Sequence, residues 1–414
     1  MKILTINSHD SSGGAARAAY NSHKGLLEIG LDSKMLVAQK GTSDFTVIGP
    51  DNNLHKLQSM LAMRIDALPG KLHATPNKNL HSPAWFSTFK NSNIEKYNPD
   101  IIHLHWVTGG FLSIKDISRI KKPIVWTLHD MWPFSGAEHY SDESMRYKDG
   151  YTSENRMVGE SGFDLNRWVW NRKIKHWRQL DNITFIAPCK WMAESIRESE
   201  LFHDSRVEIV PVGLDHTLYR PRDKKTIRKI LDMPTDKKII LIGAMNFLKD
   251  TRKGGHFLKK AFESLKNSGY GEEYVVYILG ISAPEKEENF AFQTYYYGAN
   301  RDDLSLALLY SAVDVFVAPS VQENFSATVF ESLSCGTPVV AFNIGGMPDM
   351  INHKQNGYLA KPYQTEDLAD GIEWVLEKSS PTQLSKNARQ FIENECTLKI
   401  QAERYKNIYE SIGS

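Results

Sequence analysis

The sequence predicts an α/β protein built from two Rossmann-like domains, and three observations predict it. Short apolar runs rich in β-branched residues recur along the chain, as at Lys2–Asn7, Asp100–His105, Ile124–Leu128, Lys238–Gly243, Tyr274–Leu279 and Val339–Phe342. This is the pattern of parallel strands buried on both faces. Segments with apolar residues at helical spacing follow several of these runs, and alternation of strand and helix builds parallel sheets. At 414 residues the chain is also long for a single core, so two domains are expected.

Composition removes several classes. A chain with 41% hydrophobic and 24% charged residues is not disordered. A net charge of +1 makes no global case for nucleic acid. Cys189, Cys335 and Cys396 lie far apart, which excludes a disulfide framework or a paired-cysteine metal site and suits a reducing cytosol. No apolar run reaches membrane-spanning length, and the opening MKILTINS reads as a strand rather than a leader.

In the N-terminal half, Lys2–Asn7 is the first strand, Ser8–Ala15 a polar Gly loop, Ala16–Ile29 a helix and Leu31–Val37 the second strand. There is no G-x-G-x-x-G, so a dinucleotide site is not expected, and Gly13-Gly14 read on their own as turn glycines. Residues 52–89 place Leu54, Leu57, Leu61, Ile65 and Leu68 near helical spacing, with Lys56 and Arg64 among them. The first reading is a core-packed helix followed by a loop; the second is a basic amphipathic surface that touches a membrane. The strands Asp100–His105 and Ile124–Leu128 each end in a polar corner, His103-Leu104-His105-Trp106 and His129-Asp130, and strand ends of this kind line one crevice. Ser141–Asp164 is poorly patterned and expected to be a mobile loop. Leu165–Leu180 carries three Trp and five Lys or Arg residues; it reads as a helix whose charges snorkel over apolar surface, or as a contact for anionic lipid. No nucleic-acid motif accompanies it. Thr184–Ala187, Lys190–Ser199 and Val207–Val210 continue as strand, helix and strand, and the Pro-bounded segment Pro211–Pro221 reads as the crossing between domains.

The C-terminal half opens with the strand Lys238–Gly243, then a loop and a helix from His256. Arg252 and Lys253, at that helix start, are able to neutralise a diphosphate; the alternative is two solvated bases. The most informative stretch is Asp314–Gly346, in which an apolar strand, a polar loop, a helix starting in or near Asn324–Ser326, a Gly-Thr-Pro stop and a second strand follow one another. Glu323, at the mouth of the helix, and Glu331 lie eight residues apart, about two helical turns, a spacing that puts both on one side of the helix. The free amides of a helix start suit an anion, and the two carboxylates suit sugar hydroxyls, although each is also an ordinary surface residue in isolation.

Ala318–Ser320 (APS), Glu323–Phe325 (ENF), the Glu323/Glu331 pair as Glu-x7-Glu and Cys335–Ala341 (CGTPVVA) together resemble the donor-site signature of the retaining glycosyltransferases of family 4. Thr127–Gly136 (TLHDMWPFSG) resembles a subgroup that builds bacterial exopolysaccharide and O-antigen, including colanic-acid enzymes, and Pro211–Pro221 resembles the segment joining the two domains. The resemblance implies the GT-B fold, two Rossmann-like domains facing across a cleft, here 1–211 for the acceptor and 212–395 for the nucleotide sugar, with a final helix in 396–414 returning to the first. It implies that Glu331 binds the ribose and Glu323 the donor hexose, with the backbone of Asn324, Phe325 and Ser326 touching sugar or phosphate. It implies that Gly13 and Gly14 let the backbone approach the diphosphate, aided by Lys253. Arg252 substitutes for an arginine that the family places where Ala244 stands. The nucleobase is expected near Gly298–Arg301. His129 is expected beside the reacting groups, with Asp130 orienting it or the acceptor, and His105, Glu138 and His139 completing the acceptor side. The cysteines that the subgroup carries within 141–164 are missing here.

The expected activity is therefore retaining, metal-independent transfer of a hexose from a nucleotide-diphosphate sugar to a glycan acceptor of a surface polysaccharide, carried for instance on a polyprenyl diphosphate. The catalytic residues implied are His129, Glu323 and Lys253. No cofactor, metal or nucleic acid is expected, and the implied location is cytoplasmic, at the inner face of the membrane with peripheral contact. Two rivals remain: a nucleotide-sugar epimerase of the same fold, and an inactive scaffold, for which Ala244 is the one supporting feature.

Overall fold

The computed structural model describes residues 1–88, 92–141, 144–243, 250–282, 290–298 and 302–412. Ala244 and residues 299–301 of the expected base pocket therefore lie outside the described residues. The chain divides into two compact units, Met1–Gly213 with Leu398–Ser414, and Leu214–Thr397.

The first unit is built on strands β1 (Lys2–His9), β2 (Asp32–Gln39), β3 (Val47–Ile48), β4 (Ile101–Leu104), β5 (Ile124–Thr127), β6 (Ile183–Ala187) and β7 (Arg206–Ile209), in the order β3-β2-β1-β4-β5-β6-β7. Every neighbouring pair is parallel. Strands β4, β5 and β6 are buried at every residue, which is why they read as unbroken apolar runs. Helix α1 (Gly14–Glu28) follows β1. The last helix of the chain, Leu398–Ile412, lies against it, so closely that a Cβ on Gly25 would stand 2.6 Å from the Leu398 carbonyl oxygen. Tyr405, Ile408 and Tyr409 of that helix share one core with Ile3, Leu26, Ile101 and Val125.

The second unit has strands β8 (Lys238–Gly243), β9 (Tyr274–Leu279), β10 (Gln293–Tyr296), β11 (Val315–Ala318), β12 (Val339–Phe342) and β13 (Gly357–Ala360), in the order β10-β9-β8-β11-β12-β13, again all parallel. Alternate residues of β8 enter different cores: Ile239 and Leu241 one, Ile240 and Ile242 the other. That is the period-two alternation of a sheet covered on both faces. Asp314, just before β11, ties the amino-end of the sheet together: its carboxylate takes Arg228 (2.6 Å), Lys224 (2.7 Å) and the Ile239 N–H (2.7 Å).

In each sheet the chain winds outward and then crosses back to the other side of its first strand. The direction of winding reverses between β1 and β4 in the first unit, and between β8 and β11 in the second. At such a switch point the loops leaving the two strands part in opposite directions, opening a crevice at the carboxyl edge.

Two expectations are corrected. Helix α2 (Asn53–Asp66) is not core-packed: only Ala62 and Asp66 are buried, while Leu54, Leu57 and Leu61 are 61%, 52% and 45% exposed. The described part of 141–164 is not loose. Arg146, 4% exposed, bonds to Asn155 Oδ1, the Thr152 carbonyl and Asp164 Oδ2, each at 3.0 Å, and fastens the segment with charge. Among the described residues no helix is long and apolar enough to cross a membrane.

Candidate functional site

In the second unit three loops meet at the carboxyl edge beside the β8–β11 switch. The loop after β8 ends in a 3-10 turn, Thr251–Lys253, capped by the Asp250 side chain, which accepts from the Arg252 N–H. Gly254 follows at φ +69°, and a Cβ there would stand 1.8 Å from the Pro319 carbonyl oxygen. The loop after β11 therefore passes in direct contact with this glycine, and Val321 N–H donates to the Arg252 carbonyl (2.7 Å). The third loop comes from β12: Gly345, at φ +50°, lies against the Glu323 backbone, and Gly346 N–H donates to the Glu323 carbonyl (3.0 Å).

These contacts aim Glu323 at Lys253, whose Nζ donates to Glu323 Oε2 at 2.8 Å. The pair is mostly buried, with side chains 23% and 12% exposed. Arg252 turns back instead, its guanidinium bonding Asp250 through Nε (3.2 Å) and a terminal nitrogen (2.8 Å). Its charge thus meets a carboxylate two positions away, while Lys253 reaches the loop that carries Glu323.

Helix α3 (Ala327–Ser334) begins four residues after Glu323. Glu323 and Glu331 are therefore not on one helix, as the eight-residue spacing suggested. Glu323 sits on the loop and Glu331 one turn into α3. Glu331 is 2% exposed and accepts from the Tyr310 hydroxyl (3.1 Å). Burial first, and then the Glu331 charge, push the Tyr310 phenol well above its ordinary range, so it remains a donor. Asn324 is buried, and the Phe325 ring packs on Phe330 at 4.2 Å. Ser326 caps α3 at φ −83°, a conformation open to any residue, and contributes no side-chain cap of its own. Its hydroxyl lies 3.0 Å from that of Thr328 instead.

In the first unit the corresponding edge lies beside the β1–β4 switch. Gly13 stands at φ +90° before α1, and a Cβ on Gly13 or Gly14 would meet nothing within 4 Å. The turn thus needs glycine for its backbone, and it faces open space. Downstream of β4 and β5, His105 Nδ1 and His129 Nε2 are 2.9 Å apart with rings stacked at 5.2 Å. His103 lies behind His105, its ring tilted by 35° at 4.2 Å, and is held by the Thr127 (2.8 Å) and Tyr409 (2.6 Å) hydroxyls. Burial dominates all three rings. It lowers His129 to about 4 against the opposing pull of Asp130, lowers His103 to about 3, and holds His105 well below the usual value. All three are neutral at neutral pH.

Asp130 does not orient His129. Its carboxylate takes His139 Nδ1 (2.6 Å), the Trp106 indole N–H (3.1 Å) and the Trp132 N–H (3.0 Å). Burial would raise this carboxyl; the neighbouring His139, the Trp132 N–H and His129 together outweigh it and hold it below the usual range. His139 is braced on its other side by Ser82 (2.8 Å). Glu138 points into the interior, bonded to the Tyr151 hydroxyl and raised by burial. It braces the wall from behind. Lys173, expected to snorkel, is fully buried and donates to the carbonyls of Trp132, Ser135 (3.0 Å) and Gly136 (2.8 Å), clamping the loop that carries Asp130 and His139.

Sequence reading missed Tyr310, Gly254, Asp250 and Lys173. A Lys-Gly-Gly run before a helix is a visible hint for Gly254; the others have no local signal. Among the described residues no group of three or more His, Cys, Asp or Glu side chains is arranged to hold a metal ion.

A family model described as Glycosyltransferase Family 4 matches residues 12–218, and one described as Glycosyl transferases group 1 matches residues 223–391. Sucrose-phosphate synthase from Thermosynechococcus elongatus superposes with a TM-score of 0.66 at 16% identity, covering 100% of this chain and 99% of that one. HepE from Anabaena, solved in complex with UDP-glucose, gives 0.61 at 16% identity, covering 99% and 100%. The D-inositol 3-phosphate glycosyltransferase of Saccharomonospora viridis is 26% identical over 306 residues, which are 70% of this chain and 65% of that relative, just under two thirds of its length. With half of the chain matched by the first model alone, and two parallel-sheet units arranged strand by strand as described, this chain belongs to the family 4 glycosyltransferases and has the GT-B fold.

Proposed function

We propose that the chain is a retaining glycosyltransferase moving a hexose from a nucleotide-diphosphate sugar to a glycan acceptor of a bacterial surface polysaccharide. The observation that carries this reading is the Lys253–Glu323 pair at the switch point of the second unit, one loop away from the buried Glu331. An ammonium has three donors, and Glu323 uses one. The other two are available to diphosphate oxygens, where charge develops as the leaving group departs and where electrostatic preorganisation counts most. Glu323 keeps an oxygen for a hexose hydroxyl. Glu331 accepts from Tyr310 and, as a carboxylate with four lone-pair sites, is able to take ribose hydroxyls as well.

In the reaction the bond from the anomeric carbon to the diphosphate oxygen breaks and a bond to the acceptor oxygen forms on the same face. The acceptor proton passes to the departing phosphate. The acceptor is assigned to the first unit, where neutral His129 positions a hydroxyl without competing for the proton. The UDP-glucose bound to HepE supports a nucleotide-sugar donor, and the run Thr127–Gly136 supports a surface glycan. No metal is required in this scheme, since Lys253 and the amides of α3 supply the positive field.

The test is a donor screen by ligand-observed binding in the presence of a chelator, with GDP-mannose, GDP-fucose, UDP-glucose, UDP-galactose and UDP-N-acetylglucosamine, on wild type and Glu331→Ala. One donor should bind wild type, and the variant should weaken it at least about tenfold, the loss of a charged hydrogen-bond acceptor. Absence of binding at millimolar concentration would favour a non-catalytic scaffold. Transfer abolished by chelator and restored by a divalent cation would remove the metal-free scheme.

A further inference from the structure

The three histidines at the carboxyl edge of β4 and β5 hold a choice of tautomer, and one unpartnered nitrogen decides it. His103 is bonded at both ring nitrogens, Nε2 to Thr127 and Nδ1 to Tyr409. A hydroxyl either donates or accepts, so nothing in these two bonds fixes where the His103 proton sits. His105 differs. It is 3% exposed, its Nδ1 lies 2.9 Å from His129 Nε2, and its Nε2 is buried with no hydrogen-bond partner among the described residues. A neutral imidazole carries one N–H and one lone pair, so in the contact between these two rings one nitrogen donates and the other accepts.

Two arrangements satisfy that contact. If His129 donated, the His105 proton would sit on Nε2, a buried N–H without an acceptor, and such groups are rare in folded chains. If His105 donates from Nδ1, its one N–H is bonded and Nε2 keeps only a lone pair. The second arrangement has a consequence one ring further on. With Nε2 accepting, neutral His129 carries its own proton on Nδ1. The His129 ring lies deep but is not sealed off, and its contact with His105 is its one hydrogen bond among the described residues. The neighbouring Asp130 carboxylate does not take the Nδ1–H, since it is bonded to His139, Trp106 and Trp132.

We propose that His105 is a positioning residue for glycosyl transfer: it donates to His129 Nε2 and so makes His129 present an N–H, from Nδ1, to the hydroxyl it positions. The proposal rests on the acceptor reading above and deepens it. An N–H occupies a lone pair of the hydroxyl oxygen and leaves the hydroxyl proton free to point at the departing phosphate. The opposite tautomer would offer a bare nitrogen, hold that proton in a hydrogen bond and turn it away from the leaving group. His105 touches no substrate in this scheme; it acts through His129.

The test is two-bond ¹H–¹⁵N correlation of the full chain, labelled with ¹⁵N in its imidazoles, at neutral pH. The two signals are assigned by their loss in His129→Gln and His105→Asn. Both rings should be Nδ1–H tautomers in wild type. Two variants of equal size then separate donation from bulk, because the Asn amide N–H stands where His105 Nδ1–H does, whereas Asp only accepts. His129 should stay an Nδ1–H tautomer in His105→Asn and gain a proton on Nε2 in His105→Asp. Hydrolysis of the donor found in the screen, with water in place of the acceptor hydroxyl, reads the consequence. Its kcat should fall at least about tenfold in His105→Asp with KM unchanged, the loss expected of a misdirected proton, and return toward wild type in His105→Asn. An Nε2–H tautomer of His129 in wild type would overturn the proposal, and that measurement requires no variant to fold. So would hydrolysis as slow in His105→Asn as in His105→Asp while circular dichroism shows both folded. Failure of the donor reading shows separately, as absence of binding in the screen, and leaves the tautomer measurement standing.

Discussion

His129 is neutral because the protein withholds water from it, and that has a consequence for stability. An imidazole free in the unfolded chain titrates near 6.5; folded, burial lowers His129 to about 4 and His103 to about 3. His23 and His81 of the same unit are also lowered to about 4 by burial. Between these limits the unfolded chain binds more protons than the folded one, so stability is full above pH 6.5 and falls as pH drops toward 4. A single ring shifted this far contributes about 3 kcal/mol, at about 1.4 kcal/mol per pH unit. The first unit should therefore lose stability steeply between pH 6.5 and 4, and His129→Gln should flatten part of that slope. Urea unfolding followed across this range checks it. A wild-type slope no steeper than that of the variant would mean that His129 is protonated in the folded chain.

At the scale of elements, the crevice beside the β8–β11 switch depends on loops held by backbone contact rather than by side-chain bulk. Gly254 is the clearest case, since it needs a left-handed backbone and the space that any Cβ would occupy is filled by the Pro319 carbonyl. Gly254→Ala should cost about 1–3 kcal/mol of stability. By lifting the loop after β8 from the loop after β11, it should break the Arg252–Val321 hydrogen bond and part Lys253 from Glu323. Donor binding should weaken more than tenfold in this variant while the β8–β9 pairing persists, as nucleotide titration and hydrogen exchange would show. Binding equal to wild type would mean that the loops close on the donor without this contact. The strands and the Asp314–Gly346 unit were legible because both signals are local: apolar runs announce parallel strands, and a polar loop followed by helical spacing announces the turn after β11. Strands β3, β10 and β13 were not, because a two-residue edge strand has no period and Gln293–Tyr296 and Gly357–Ala360 carry polar or small residues. Glu323 and Lys253 were identified, but not that they pair, since 70 residues separate them. That Asp130 holds His139 was not legible for the same reason. Its neighbour in sequence is His129, whereas the side chain it holds, His139, comes back through the 3-10 turn Trp132–Phe134. The leucines of α2 have ordinary core spacing, and periodicity reports a stripe without saying which way the stripe faces.

At the scale of the whole molecule, the first unit is discontinuous, since its last helix joins it only after the second unit has been traversed. That helix contributes Ala402, Tyr405, Ile408 and Tyr409 to the core beneath β1, β4 and β5. The larger three are worth about 1.5–3 kcal/mol each in burial, a sum comparable with the about 5–15 kcal/mol by which a domain is stable at all. Tyr409 also donates to, or accepts from, His103, and the Tyr405 hydroxyl lies 3.2 Å from Thr127 Oγ1 at the end of β5, so the helix braces the histidine stack from behind. A chain ending at Thr397 should consequently lose hydrogen-exchange protection in β1, β4 and β5 while β8, β9 and β11 remain protected, and it should still bind nucleotide sugar but transfer none. The point variant Tyr409→Phe separates packing from polarity: it keeps the ring, gives up one hydrogen bond worth about 1 kcal/mol, and should leave the unit folded with the His103 ring less well held. Protection in β4 and β5 surviving the truncation would show that the first unit folds without its last helix, and the bracing of the histidine stack would then have to come from the sheet alone.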